Sequence, residues 1–183
     1  MDSRSRFDVI GLLAPLRRYA AVLTRNDTDA DDLVNDTLVR AYERRQTFRP
    51  SGDLRAWLFS VLHNSFIDGQ RRKAAEAARI RDLADAVETV AQAEQDSSVR
   101  LQQIRKAFLT LPDEQRAALH LVAIEGLSYQ DAAGALGIPL GTLMSRIGRA
   151  RAALRAFEDG TTPVPQHESS ARPNLRVVGG TDG

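Results

Sequence analysis

The stretch SYQDAAGALGIPLGTLMSRIGRARAAL, residues 128–154, decides the fold. Ser128, with Asp131 three residues on, has the form of a capping box, which satisfies orphan backbone N–H groups at a helix start. Ala132, Ala133 and Leu136 give the following short helix a small-residue packing face. Gly137 can adopt the left-handed backbone that ends a helix and changes its direction. Pro139 is suited to the first position of the next helix. Two helices joined by about three residues around a glycine predict a helix-turn-helix. In the second helix Leu143, Ile147 and Leu154 fall inward, while Thr142, Ser145, Arg146 and Arg149 fall outward. These four lie mostly in its N-terminal half, the part of a recognition helix that enters the DNA major groove. Arginine pairs with guanine or phosphate, and serine and threonine pair with phosphate or base edges. Any helical hairpin with surface arginines shares parts of this pattern. The combination of cap, Ala-Ala, glycine turn and Arg-rich helix points to a DNA reader.

Working outward, helical signals dominate and alternating β-branched runs are nearly missing. Helices are predicted at about 101–110 and 113–125, leading into 128–136 and 139–157. Near the N-terminus Ile10, Leu13, Leu16, Ala20 and Leu23 mark a helix over 8–24, with Pro15 breaking it or delaying its start. Thr28 and Asp31 resemble another capping box, and Asp29, Asp31 and Asp32 then complement the helix dipole. That helix is expected to reach about Gln46, with Leu33, Val34, Leu38, Ala41 and Tyr42 at helical spacing. Residues 48–52 read as a loop and Asp53 as the cap of a third helix, whose stripe is Leu54, Trp57, Leu58, Val61, Leu62 and Phe66. It closes on the basic run 70–73, where the dipole favours cations.

The expectation is an all-α chain of two small helical domains, 1–73 and 101–158, joined by an acidic linker, 74–100. A tail, 159–183, rich in Pro, Gly, Ser and Thr, is expected to be disordered. The linker is rich in Ala, Glu, Asp and Gln and offers little to bury. The net charge of +1 hides this layout. Residues 1–73 carry 13 basic and 10 acidic side chains, 74–100 carry 3 and 6, and 101–158 carry 7 and 5.

Composition narrows the function classes. The 183 residues are 43% hydrophobic and 27% charged, as in soluble globular proteins. Without cysteine, the chain has no disulfide, thiolate metal site or thiol nucleophile. His63, His120 and His167 have no short spacing, so no metal site is expected. No apolar run approaches the roughly 20 residues of a membrane span, and MDSRSRFDVIG does not read as a secretory signal. A cytoplasmic protein without membrane attachment is expected. Nucleotide-loop, serine-hydrolase and zinc-protease motifs fail to appear, which argues against an enzyme and implies no cofactor.

Two further clusters can carry binding. On the helix at 53–73 and its preceding loop, Trp57, Phe59, His63, Asn64 and the Arg71-Arg72-Lys73 cluster mix stacking faces with phosphate-binding charge, a combination suited to unpaired or melting DNA. Against this, Trp57 lies on the apolar stripe, and the terminal basic run also complements the helix dipole. Capping explains two of the four carboxylates at Asp29, Asp31, Asp32 and Asp36, and the surplus beside Leu33 or Val39 suits docking onto a basic protein surface.

DADDLVNDTLVRAY at 29–42, FRPSGDLRAWLFSVLHNSFIDGQRR at 48–72 and LPDEQRAALHLVAIEGLSYQDAAGALGIPLGTLMSRIGRAR at 111–151, in this order, resemble small extracytoplasmic-function sigma factors of bacterial RNA polymerase. The resemblance spans 10–157. It implies that Asp29, Asp32, Leu33 and Asp36 dock the β′ clamp helices of core RNA polymerase. It implies that 46–73 opens and reads the −10 promoter element, through Phe48, Arg49, Trp57, His63, Asn64, Arg71 and Arg72. It implies that 139–157 reads the −35 element, with the rest of this domain on the β flap. Met144 stands where many relatives carry a basic residue. LVAIEGLSYQDAAGALGIPLGTLMSRIGRAR and the ending RPNLRVVGG are similar to the alphaproteobacterial general-stress group, which implies an anti-sigma factor as a partner. Two other readings are a stand-alone helix-turn-helix regulator, for which no dimerising heptad is evident, and a sigma mimic, against which Arg146, Arg149 and Arg151 speak.

Overall fold

The computed structural model describes residues 9–49, 51–80 and 99–159. The expected linker from 81 to 98, nearly all of the expected tail and residues 1–8 lie outside the described residues. Every regular element among the described residues is helical. A 3₁₀ turn at Ile10–Leu12 leads into α1, Leu13–Thr24. The others are α2, Asp27–Glu43, α3, Leu54–Ile80, α4, Val99–Thr110, α5, Asp113–Leu119, α6, Tyr129–Leu136, and α7, Leu140–Glu158.

Local chemistry accounts for most boundaries. Pro15 falls in the first turn of α1, where its missing N–H breaks no intrahelical bond. The cap of α2 is Asn26 and not Thr28: its side chain accepts from the backbone N–H of Thr28 and of Asp29. Asn26 has the extended backbone a cap requires, whereas Thr28 is already inside the helix. α2 stops at Glu43, and a 3₁₀ turn at Arg45–Thr47 completes the approach to the loop. Asp53 caps α3 as expected, accepting from the N–H of Arg55 at 2.8 Å. α3 does not close at Lys73 but runs on to Ile80, because the Ala-, Glu- and Arg-rich residues that follow favour helix.

α1, α2 and the first turns of α3 enclose Leu16, Tyr19, Leu23, Val34, Leu58, Phe59 and Leu62. α5, α6 and α7 enclose Ala117, Leu121, Leu136, Leu143 and Ile147. The two helical domains are packed against each other: α3 lies on α6, α1 lies on α5, and the buried side chains of both form one continuous cluster. Between α5 and α6 the chain widens into a π-helical segment, His120–Ile124, which turns His120 and Leu121 inward.

Candidate nucleic-acid interface

The hairpin α6–α7 is built as its sequence predicts. The Ser128 side chain accepts from the Asp131 N–H at 3.0 Å, and its hydroxyl donates to the Asp131 carboxylate at 2.6 Å. Gly137 has φ +63°, the left-handed conformation, and Ile138 N–H donates back to Ala133 at 3.1 Å. A side chain at 137 would find open space, so the glycine is required by the backbone and not by crowding. Pro139 is the cap of α7, one position before its expected place. Its ψ of 146° is extended, which is what lets the chain turn the corner before Leu140.

Leu143, Ile147 and Ala150 are buried and fix the rotation of α7, with Leu154 half-buried. That leaves Thr142, Ser145 and Arg149 exposed, and Met144 with them. Arg146 departs from expectation. Its side chain is only 22% exposed and forms an ion pair with Glu114 of α5 at 2.6 Å. It lies at the edge of the outward face and leans across a cleft of about 470 Å³ between the start of α5 and the first turns of α7.

The second cluster divides. Phe59 is buried edge-on against Tyr19, with ring centroids 5.5 Å apart, and belongs to the core. Trp57 is half-buried, and the Phe48 ring packs against it at 5.5 Å, so the two aromatics at the head of α3 form one platform. Arg49, Asn64, Arg71 and Arg72 are exposed along the loop and α3. His63 is half-buried, and its Nδ1 lies 3.0 Å from the Tyr19 hydroxyl. Burial, with the nearby Arg146 charge adding to it, lowers the His63 pKa to about 4. The imidazole is therefore neutral at pH 7, and burial raises the Tyr19 phenol so that it stays protonated.

The acidic face of α2 is open at Asp29, Asp32 and Asp36, while Leu33 packs partly against the core. Asp36 pairs with Arg40 at 2.9 Å, and Asp31 with Arg17 at 2.8 Å. Tyr42, expected among the apolar positions, is 64% exposed with the Arg45 guanidinium 4.3 Å over its ring. With Val39 it extends the acidic face by an apolar patch.

The sequence does not reveal the polar seam between the domains. Glu125 is fully buried there. Arg18 Nε and Nη2 donate to it at 3.2 and 3.1 Å, Arg55 Nη2 at 2.7 Å, and His120 Nε2 at 3.1 Å. Burial opposes its ionisation, but the bonds from Arg18 and Arg55 outweigh this and hold its pKa below the ordinary value. Burial lowers His120 in turn, against the pull of Glu125. Only the pairing of a glutamate with two arginines more than 60 residues away would have disclosed it, and spacing carries no such signal.

Among the described residues no group of His, Asp or Glu side chains could hold a metal ion, and no helix is long and apolar enough to cross a membrane.

Comparison with known proteins matches residues 10–63 to the family model "Sigma2 domain of PhyR" and residues 101–154 to "Sigma-70, region 4". The ECF RNA polymerase sigma factor EcfG of Rhodopseudomonas palustris (strain TIE-1) is 38% identical over 152 residues, covering 83% of each chain. The ECF RNA polymerase sigma factor SigM of Mycobacterium tuberculosis is 36% identical over 140 residues, 76% of this chain and 69% of that one. Among solved structures, the sigma factor RpoE of Bartonella quintana, crystallised with the anti-sigma factor NepR, superposes with a TM-score of 0.71. It has 33% identity, over 86% of this chain and 98% of RpoE. CnrH in complex with the cytosolic domain of CnrY gives 0.60 at 27% identity, over 88% of this chain and 92% of that one.

Proposed function

The chain belongs to the extracytoplasmic-function sigma factors of bacterial RNA polymerase, and on that premise we propose that it binds core RNA polymerase and directs initiation at a stress-responsive set of promoters. The observation that carries this reading is the Gly137-cornered hairpin, whose second helix presents Thr142, Ser145 and Arg149 on one open face. In this reading α7 meets the −35 element, with Arg146 swinging off Glu114 to join that face. The loop before α3, with Phe48, Arg49 and Trp57, and the α3 face bearing His63, Asn64, Arg71 and Arg72, meet the −10 element. Asp29, Asp32, Leu33 and Asp36 dock the β′ clamp helices, and the domain around α7 seats on the β flap. The work is binding and positioning in the cytoplasm, with no reaction catalysed by this chain.

An anti-sigma factor completes the scheme. RpoE was solved with the anti-sigma factor NepR and CnrH with the cytosolic domain of CnrY, and this chain superposes on both over most of its length. The net charge of +1 neutralises few phosphates, so the free chain binds duplex DNA weakly and the polymerase supplies most of the affinity.

Purified core polymerase, genomic fragments and the added protein test this directly. Specific transcripts that depend on the protein are expected. Charge reversal of Asp32 and Asp36 together is expected to reduce core binding with helicity unchanged, since one exposed charge contributes under about 1 kcal/mol. Core binding unaffected by that double change, or nanomolar sequence-specific duplex binding by the free chain, contradicts the reading.

A further inference from the structure

We propose that Glu125 latches the two domains in a closed form that holds α3 and α7 too close together to reach both promoter elements at once, and that this latch opens before both elements are engaged. The proposal rests on the reading above for what must be reached, and on the seam itself for the latch.

Three side chains converge on one carboxylate through four hydrogen bonds. Arg18 comes from α1 and Arg55 from α3, both in the first domain, while His120 comes from the same π-helical turn region as Glu125. The carboxylate is fully buried, yet Arg18 is half exposed, so the cluster sits at the rim of the seam with one arginine open to water. Around it the contact continues in polar form. The fully buried Arg116 of α5 donates from Nε to the Val22 carbonyl of α1 at 2.9 Å. Arg25 pairs with Asp113 at 2.9 Å. Tyr19 stacks on His120, with centroids 5.4 Å apart and planes 23° apart, while its hydroxyl meets His63.

Apolar side chains also run across the seam and lose their hydrophobic gain when it opens, so the polar part is the part that opens at little cost. A buried ion cluster gains little net stability from closure, because desolvation offsets attraction, but it enforces one geometry. Separation rehydrates every group. Removal of the carboxylate alone leaves the Arg18 and Arg55 guanidinium groups facing each other with nothing between them.

Closure also conflicts with the proposed work. The −35 and −10 elements are about 25 base pairs apart, about 85 Å along B-DNA at 3.4 Å per pair. Here α3, which carries His63, packs against α6, whose hairpin partner α7 carries Arg146, and both side chains are mostly covered. One closed body cannot lay these two residues on elements so far apart.

The absence of cysteine makes the test clean. Nitroxide labels at Ala14→Cys and Ala152→Cys, both exposed positions in different domains, report the interdomain distance by pulsed electron paramagnetic resonance on the full chain. The parent is expected to show one narrow, short distance. Glu125→Gln and Arg18→Gln are each expected to shift and broaden the distribution toward longer distances. Arg18→Gln decides if circular dichroism shows that Glu125→Gln has lost helix. Adding core RNA polymerase is expected to lengthen the parent distance. A parent as broad as the variants, variants as narrow as the parent, or a parent that binds core without changing its distance overturns the latch. A latch that responds in the free chain while core polymerase never binds leaves the latch standing and removes the sigma reading instead.

Discussion

The α6–α7 hairpin and the Glu125 seam are built by opposite means. The hairpin is local: a serine cap, a left-handed glycine and an apolar stripe of Leu143, Ile147 and Ala150 complete it within about thirty residues. The seam joins residues about 70 to 107 positions apart through buried charge. The first sets what the molecule can read, and in the latch proposal the second sets when the two reading helices can part to reach both elements. Local geometry is cheap to specify and hard to switch. A charged seam between domains is the reverse.

The sharpest break of this comparison sets Leu143→Ala against Arg116→Met. Leu143 is fully buried, and its truncation is expected to cost about 2–5 kcal/mol, unfolding the α5–α7 domain before the first. Arg116→Met strands the carbonyls of Val22, Leu109 and Leu111, at about 1–3 kcal/mol for a buried polar group left unpaired, and is expected to loosen the two domains from each other. Domain-resolved hydrogen exchange separates the outcomes. Uniform loss of protection in both variants would erase the distinction between hairpin and seam.

Acid is expected to act on the seam first. His63 and His120 both titrate below their ordinary value when folded, so the unfolded chain takes up protons first as pH falls. Stability is full above pH 6.5 and declines toward pH 4, the window set by His63. Each histidine contributes at most about 1.4 kcal/mol per pH unit, less for the half-buried His63. Melting curves at pH 7, 6 and 5 check this. A midpoint that is flat across the range would mean that both rings are already solvated.

Gly137→Ala sharpens the hairpin side. Its Cβ would meet nothing, so the expected cost is the left-handed backbone alone, about 1–2 kcal/mol. A larger loss in chemical denaturation would show that the corner is also held by packing.

How far each region was legible follows from the same contrast. The hairpin is legible because Ser128, Gly137 and the Leu143/Ile147 spacing are each local signals, and its backbone differs from the expectation only in the place of Pro139, by one residue. The cap at Asn26 was missed because Thr28 and Asp31 have the right spacing but lie inside the helix. The end of α3 was misjudged because a basic run can close a helix, while residues 74–80 have ample propensity to extend one. Phe59 was weighed as a stacking face because a sequence gives no depth. Arg146 was expected outward by helical phase, and the phase is right. What turns it is Glu114, a neighbour from another helix. The Glu125 cluster left no trace at all, since its members share no spacing and are joined only by the packing of α1 and α3 on the second domain.

The central claim, that the exposed face of α7 selects the promoter, is tested most directly by transcription from a panel of single-base −35 variants. Holoenzyme reconstituted with Arg146→Ala or Arg149→Ala protein is compared with the parent, folding being checked by circular dichroism. Arg146, nearer the start of the helix, is expected to read a base. Its loss removes the preference at one position, about 1–3 kcal/mol in discrimination. Arg149 is expected to hold phosphate, so its loss weakens all variants alike and lowers the salt slope by about one. Wild-type activity with unchanged base preferences in both variants would contradict the account and place the reading face elsewhere.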